Sequence, residues 1–288
     1  MPEEFRRAII AANPHLVGSA FSVAGRGWHS LAVDVDGRHI FKFPEGAEAE
    51  SALLREARLL AAVRPLVTMP VPDMTIHAGP PLFSNHGKLP GRPLEPGEYA
   101  GLDEAARARL AGDLGLFFAE LHAIDPAAME AAGTEPVEWW DTNEDTLAIA
   151  WPLLPPELRP EAEAAIEAYH ELGPDPLGEV YGFFDAHGWN MAFDHDEARL
   201  RGIFDFADSG FGPPHREFVQ VSLIDPDLAR RSMDAYEART GRALDPRRVF
   251  LLTAAMRLSE LAGAAETGQS VPMIQDLAVS WLRQRSVR

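Results

Sequence analysis

The 288-residue chain contains no cysteine at all. Disulfides, thiolate nucleophiles and cysteine-held metals are therefore excluded, although the absence says little about compartment. Long apolar runs are also missing. No stretch reaches membrane-spanning length, and the N-terminus has no basic-then-apolar leader, so a cytoplasmic location is expected. Lysine is nearly absent: 24 of the basic residues are Arg, and only Lys42 and Lys88 are Lys. A compact ammonium kept at position 42 in an Arg-rich chain points to a close approach to phosphate, because Arg and Lys are not interchangeable there. For Lys88, coding bias suffices.

Positive charge as a whole is scarce, and the formal net charge is −18. Nucleic acid and anionic membranes require basic patches, so neither is expected as a partner. The excess is concentrated: residues 97–200 hold 23 Asp and Glu against 4 Arg, while the rest of the chain is close to neutral. Such asymmetry would steer a cationic small molecule, or simply solubilise the outer faces of several helices. Nothing implies a protein partner. With 46% hydrophobic residues the chain can build a substantial core.

Patterning divides the chain in two. The first 95 residues read mostly as strands plus one helix. "SAFSVAG", "HSLAVDV" and "HIFKF" form a meander, apolar at Leu31, Val33, Val35 and Ile40. A helix follows over "EAESALLREARLLAAV" and stops at Pro65, then short strands near 73–77 and 82–86. A Pro/Gly-rich loop, "KLPGRPLEPGEY", leads into a helical remainder, with helices over 104–124, 157–171, 226–240, 245–264 and 273–286. Only 180–206 is again β-like. There is no internal repeat or low-complexity tract. The expected fold class is α+β and two-lobed, with a β-rich lobe over 1–90 and a larger helical lobe over 91–288. A cleft between such lobes is a common ligand site.

The chemistry concentrates in "FFDAHGWNMAFD" (183–194) and "RGIFDFADSG" (201–210). Magnesium takes hard oxygen ligands, usually one or two from protein and the rest from phosphates and water. Asn190 and Asp205, at the ends of strands joined as a hairpin, suit that ion. Asp185, five residues before the Asn, would sit near it and be free to accept a proton. The competing reading is that these Asp and Asn residues only cap turns.

These segments carry a resemblance. "DAHGWN", followed fifteen residues after Asn190 by Asp205 in "GIFDFADSGFG", resembles the catalytic loop and metal segment of the aminoglycoside phosphotransferase family, which shares the protein-kinase-like fold. Asp185, His187, Asn190, Asp205, Phe206, Asp208 and Gly212 match the family pattern. "FAELHAID" (118–125), "HIFKF" and "LLREARLLAAV" resemble its further elements, so the likeness spans about residues 18–225 in order.

The resemblance implies a small-molecule kinase that moves the γ-phosphate of ATP or GTP to a hydroxyl, with Mg2+ as cofactor. It implies Asp185 as catalytic base, Asn190 and Asp205 as metal ligands, Lys42 on the α- and β-phosphates, and Glu56, or else Glu50, as its partner. The turn "AGRGWHS", with Gly25, Gly27 and Ser30, would cover the phosphates, and the nucleotide base would lie against Phe83 to Asn85. His187 is expected to hold the loop, Asp208 to fix the Asp-Ser-Gly turn or else to lie near the metal, and Gly91 to mark the passage between lobes. The family acceptor is an aminoglycoside, with antibiotic resistance as the consequence; choline, homoserine, sugars and macrolides are the alternatives.

Two departures stand out. Phe183-Phe184 replaces the family's His-Gly, and Gly212-Pro213-Pro214 replaces its Gly-Asp-Pro, with Glu217 standing in for a later Asp that braces the loop. On the acceptor side, "EPVEWWDTNEDTLAIAW" (135–151) pairs three Trp with five carboxylates. That composition suits a cationic acceptor through ion pairs and cation–π contact, or else Trp139, Trp140 and Trp151 are packing residues. Glu138, Asp141, Asp225 and Glu260 are the acceptor-binding candidates, with Asp227 nearby. A degenerate, non-catalytic nucleotide-binding scaffold is the rival from another class, favoured only by Phe183-Phe184. A zinc hydrolase lacks its His-rich ligand set, and a protein-kinase activation segment ending in Ala-Pro-Glu is absent.

Overall fold

The computed structural model describes residues 1–26, 30–95 and 97–286, and Gly27 lies outside them. The N-terminal lobe is built on a five-stranded antiparallel sheet in the order β1-β2-β3-β5-β4, with β1 Phe21–Arg26, β2 Ser30–Val35, β3 His39–Pro44, β4 Thr75–His77 and β5 Phe83–Gly87. Strand alternation gives the sheet two chemically distinct faces. Leu31, Val33, Val35, Phe41, Phe43 and Phe83 form the outer core. It is covered by α1 (Glu3–Ala12), whose Phe5 stacks on Phe43 with ring centroids 4.1 Å apart. This helix was not apparent in the sequence pattern. Ile40 falls on the other face, opposite Asp34, so the core-facing residues of β3 are Phe41 and Phe43.

The second face carries Lys42, paired across the ladders with Ala32 and Ser84. It is covered by α2 (Ala47–Val63), which buries Ala49, Leu53, Glu56, Leu59, Leu60 and Val63. These recur at helical spacing, so a single carboxylate, Glu56, is carried into an otherwise apolar stripe.

The connector after β5 is zipped onto the second lobe. Arg92 and Phe193 exchange backbone hydrogen bonds, and Leu94 N–H donates to Gly188 O at 3.0 Å. Gly91 has φ +123°, and a Cβ there would meet Phe193 O at 2.7 Å, so glycine is required both sterically and conformationally.

The second lobe is helical: α3 Glu104–His122, α4 Pro126–Ala132, α5 Glu144–Ala150, α6 Arg159–His170, α7 Pro214–Ile224, α8 Pro226–Thr240, α9 Pro246–Thr267 and α10 Val271–Ser286. Its largest core gathers Leu114, Phe117, Phe118 and Leu121 of α3 with Phe218, Met233 and Tyr236. α3 and α8 approach so closely at Gly115 that a Cβ would lie 2.7 Å from Ala235 Cβ. Four short strands interrupt the helices: β6 Val180–Gly182 pairs with β9 Gly210–Gly212, and β7 Met191–Asp194 forms a hairpin with β8 Arg199–Ile203. α4, α5, α7 and β9 lack a strong period and were not foreseen; α7 is announced only by Pro214 at its first position. Among the described residues no helix is long and apolar enough to cross a membrane.

Candidate active site

The hairpin sets the spacing that the sequence suggested. β7 begins directly after Asn190 and β8 ends two residues before Asp205, and Phe204 N–H donates to Asn190 O at 3.0 Å. Asn190 and Asp205 are thereby brought side by side although fifteen residues separate them. Asp185 joins them from the loop after β6: Asn190 Nδ2 donates to Asp185 Oδ2 at 2.6 Å and to Asp185 O at 3.1 Å. Because the amide nitrogen is spent on Asp185, the Asn190 carbonyl oxygen is the end left for another partner.

Lys42 reaches this cluster from the sheet. Its Nζ lies 2.8 Å from Asp205 Oδ1 and 3.1 Å from Glu56 Oε2. Burial works against the ammonium, yet the Glu56 and Asp205 carboxylates outweigh it, and Lys42 is held well above the ordinary lysine value. Glu56 also accepts Phe206 N–H at 3.0 Å, so one buried carboxylate ties the sheet's lysine to the backbone beside Asp205. Glu50, more than a turn and a half earlier on the helix, is exposed; Glu56 is the partner that the structure shows.

The loop bearing Asp185 is braced from behind. Phe184 has φ +60°, a left-handed conformation that is costly for a bulky residue. It is held by Glu217, fully buried on α7, which accepts N–H from Phe183 at 3.1 Å and from Phe184 at 2.9 Å. His122 Nε2 stands 3.4 Å from the same carboxylate, and its Nδ1 lies 2.9 Å from Tyr236 Oη. Phe183 packs on Phe206 and Phe117, with centroids 4.7 and 6.1 Å away. An aromatic contact therefore joins the Asp185 loop to the Asp205 loop where the family pattern has a histidine.

His187 Nε2 faces Asp185 Oδ1 at 3.4 Å. Burial opposes its protonation, but the adjacent carboxylate prevails and raises it. Enclosure in the cleft, and then the negative charges of Asp185 and Asp205, push the Asp208 carboxyl up to about 6, although much of the residue still reaches solvent. Asp205, at φ +68°, is likewise left-handed, a conformation that short Asp side chains tolerate.

These groups line one cleft of about 700 Å³, together with Ser30 and Glu260. The other candidates lie elsewhere. Gly25 is exposed on β1 beside a bulge. Phe83 and Asn85 are on the outer face of the sheet, where Phe83 stacks on Phe43 and Asn85 Oδ1 bonds His77 Nε2 at 2.7 Å; Ser84 and His86 share the face of Lys42. Asp141 binds Asn143 and Thr146 at the start of α5. Asp225 caps α8 by accepting Asp227 N–H at 2.8 Å, and Asp227 bonds Tyr99 and Arg231. Glu138 is exposed outside the cleft.

The tryptophans meet a cation of the protein's own. The Arg216 guanidinium lies 4.3 Å from the Trp140 ring centroid and 5.3 Å from that of Trp139, and burial lowers it to about 10. Trp151 packs in the cluster of α5, α6, α9 and α10. Sequence reasoning missed Trp189, Arg257 and Met273, which also line the cleft. The latter two lie in plain helical patterns that carry no local signal.

The donor set suits magnesium: a free amide carbonyl at Asn190 and a carboxylate at Asp205, both hard oxygens, with room for phosphates. Among the described residues no cluster of three or more His, Cys, Asp and Glu side chains could hold a metal by itself.

Solved structures share this architecture. The GDP complex of aminoglycoside 2'-phosphotransferase-IIIa superposes with a TM-score of 0.79 at 21% identity, covering 98% of each chain. Macrolide 2'-phosphotransferase MphH from Brachybacterium faecium gives 0.67 at 20% identity, again over 98% of each. The streptomycin-ATP-APH(2")-IIa complex gives 0.65 at 15% identity, covering 97% of this chain and 99% of that one. No curated protein matches the chain significantly. The model of the APH phosphotransferase enzyme family matches residues 21–250. With that match spanning most of its length and a kinase-like two-lobed fold around the cleft, the chain belongs to the APH phosphotransferase enzyme family.

Proposed function

We propose that this enzyme transfers the γ-phosphoryl group of ATP or GTP to a hydroxyl of a small molecule. The observation that carries the reading is the meeting of Lys42, Glu56, Asp185, Asn190 and Asp205 in one cleft, from four separate elements. Phosphoryl transfer is chiefly positioning and neutralisation of charge. Lys42, fixed by Glu56, supplies a point charge for the donor's phosphates. Asn190 Oδ1 and the Asp205 carboxylate would hold Mg2+, which neutralises phosphate charge when bound. The acceptor oxygen attacks the γ-phosphorus, the bond to the β-bridging oxygen breaks, and the nucleoside diphosphate leaves with that electron pair. Asp185, oriented by the Asn190 amide and His187, takes the hydroxyl proton.

Structures of the neighbours include GDP, ADP and ATP complexes and bound kanamycin, streptomycin and gentamicin. These define donor and acceptor sets to try here, including the cationic acceptors that the family resemblance suggests. A cytoplasmic setting suits a donor nucleotide. The scaffold reading gains nothing from Phe183-Phe184, because the aromatic packing and Glu217 keep the Asp185 loop in place.

The test is magnesium-dependent ADP and GDP release across a panel of hydroxylated acceptors. Asp185→Asn should lower acceptor-stimulated kcat by about 10³-fold with nucleotide affinity unchanged. Tight nucleotide binding with no stimulation by any acceptor, and equal background release in wild type and variant, would instead establish a scaffold.

A further inference from the structure

The cleft has two chemically different ends, divided by Asp185 and Asp205. Toward the sheet lie Ser30, Lys42 and Glu56, beside the small apolar surface of Pro44, Ala49, Ala52 and Leu53. Away from it, the wall is formed by α7, α9 and α10. Its surface is largely apolar: Ile224 from α7, and Met273, Ile274 and Leu277 from α10. Trp189 adds an indole whose Nε1 donates to Glu95 at 3.1 Å.

Charge on this wall is sparse and already balanced. Among the described lining residues, Glu260 is its one carboxylate, and Oε2 of Glu260 lies 2.8 Å from Arg257 Nη1. The pair is neutral as a unit. A polyamine brings several ammonium groups, each of which must be matched or pay several kcal/mol of desolvation. The other carboxylates that line the cleft, Asp185, Asp205 and Asp208, cluster around Lys42 and Glu56, so this wall itself offers no set of carboxylates to match them. The acidic residues of 135–145 do not line the cleft, and the tryptophans beside them are occupied by Arg216.

What the wall offers is apolar area and neutral polar contacts. Trp189 is 46% exposed and Met273 51%, placing both among the large hydrophobic side chains most open to solvent. Exposed apolar groups gathered in a concave site mark ligand contact. Arg257 is itself nearly buried, and its Nε has no partner within the protein. A guanidinium with a spare donor suits an ether, ester or hydroxyl oxygen.

We propose that the acceptor end takes an amphipathic alcohol: a molecule with a broad apolar face, a reacting hydroxyl and at most one ammonium group. The assignment of this end to the acceptor rests on the phosphotransferase reading above; the class of ligand rests on the wall itself.

The experiment is calorimetric titration of the full-length protein, with and without a magnesium–nucleotide analogue. The probes are erythromycin (one tertiary amine on a large lactone), octyl glucoside below its micelle concentration (uncharged), and the polyamines kanamycin and gentamicin. An amphipathic probe should bind at least about tenfold more tightly than either polyamine, with less than about a twofold change between 50 and 500 mM salt. Met273→Asp, at a position exposed enough to leave folding unharmed, should weaken that probe about tenfold and leave nucleotide affinity unchanged.

Tighter, steeply salt-dependent binding of kanamycin or gentamicin would overturn the proposal. So would failure of both amphipathic probes to bind below about 1 mM, or indifference to Met273→Asp. Phosphorylation is scored separately. Transfer to kanamycin would keep the phosphotransferase reading and sink this one, whereas an amphipathic ligand that binds near Met273 in a protein unable to bind nucleotide would do the reverse.

Discussion

Lys42 shows how much one side chain is asked to do. It stands between two carboxylates, 2.8 and 3.1 Å from its Nζ. The compact ammonium can exchange one of these for a phosphate oxygen without leaving the other. A guanidinium is longer, planar and committed to fork geometry. Lys42→Arg should therefore keep the charge yet raise the nucleotide Kd by about tenfold or more, measured by titration with each nucleotide. The site's polar residues were legible because chemistry restricts their type and spacing: Asp185, Asn190 and Asp205 are tied by one loop and one hairpin. Phe83 and Asn85 lie on a strand, as expected, but on its outer face, away from Lys42. The choice between alternate residues of a strand depends on which helix covers which face, and the helix that settles it, α1, was not foreseen.

At the level of elements, α7 is the brace that local pattern could not reveal. Glu217 is useful only because α7 places it behind residues 183 and 184, where it receives two N–H groups that would otherwise be buried and unpaired. Glu217→Ala should cost about 2–4 kcal/mol in chemical denaturation, and reduce turnover more than nucleotide affinity. A second bracket ties α7 to α9: His215 Nδ1 lies 2.6 Å from Asp175 Oδ2, His215 Nε2 accepts Asp245 N–H, and Arg248 Nε stands 3.3 Å from the same Asp175 oxygen. Burial opposes the Asp175 charge, but His215, the Leu177 N–H and Arg248 prevail, and its folded value is lowered. A lowered carboxylate contributes fully above its unfolded value near pH 4 and loses that contribution as pH falls below it. Asp175→Asn should thus cost about 3 kcal/mol at neutral pH and flatten the acid limb of a stability–pH curve. The long amphipathic helices α2 and α3 were readable from period alone, whereas α5 and α7 owe their existence to caps and tertiary packing.

For the whole molecule, the question is how two lobes present one site; Leu59, Leu60 and Val63 of α2 already share a core with α3. Glu56 answers part of it, since its two oxygens hold Lys42 on the sheet and Phe206 N–H in the helical lobe. Arg55 adds an ion pair to Glu135 and a hydrogen bond to Ala207 O. Gly91→Ala would force a Cβ against Phe193 O and place a side chain at φ +123°. It should destabilise the protein by about 2–4 kcal/mol, and thermal unfolding of the variant checks this. The connector's attachments also fix where motion can occur. Lys88 belongs to the sheet, its N–H bonded to Arg38 O and its Nζ to Asp34. Arg92 belongs to the helical lobe through its exchange with Phe193. Only Leu89, Pro90 and Gly91 lie between these two anchors. A joint that short permits swivelling but almost no sliding. Any opening of the cleft must also release Ile203 N–H from Pro70 O and Thr68 from Glu120, the contacts by which the segment between α2 and β4 is fastened to the helical lobe.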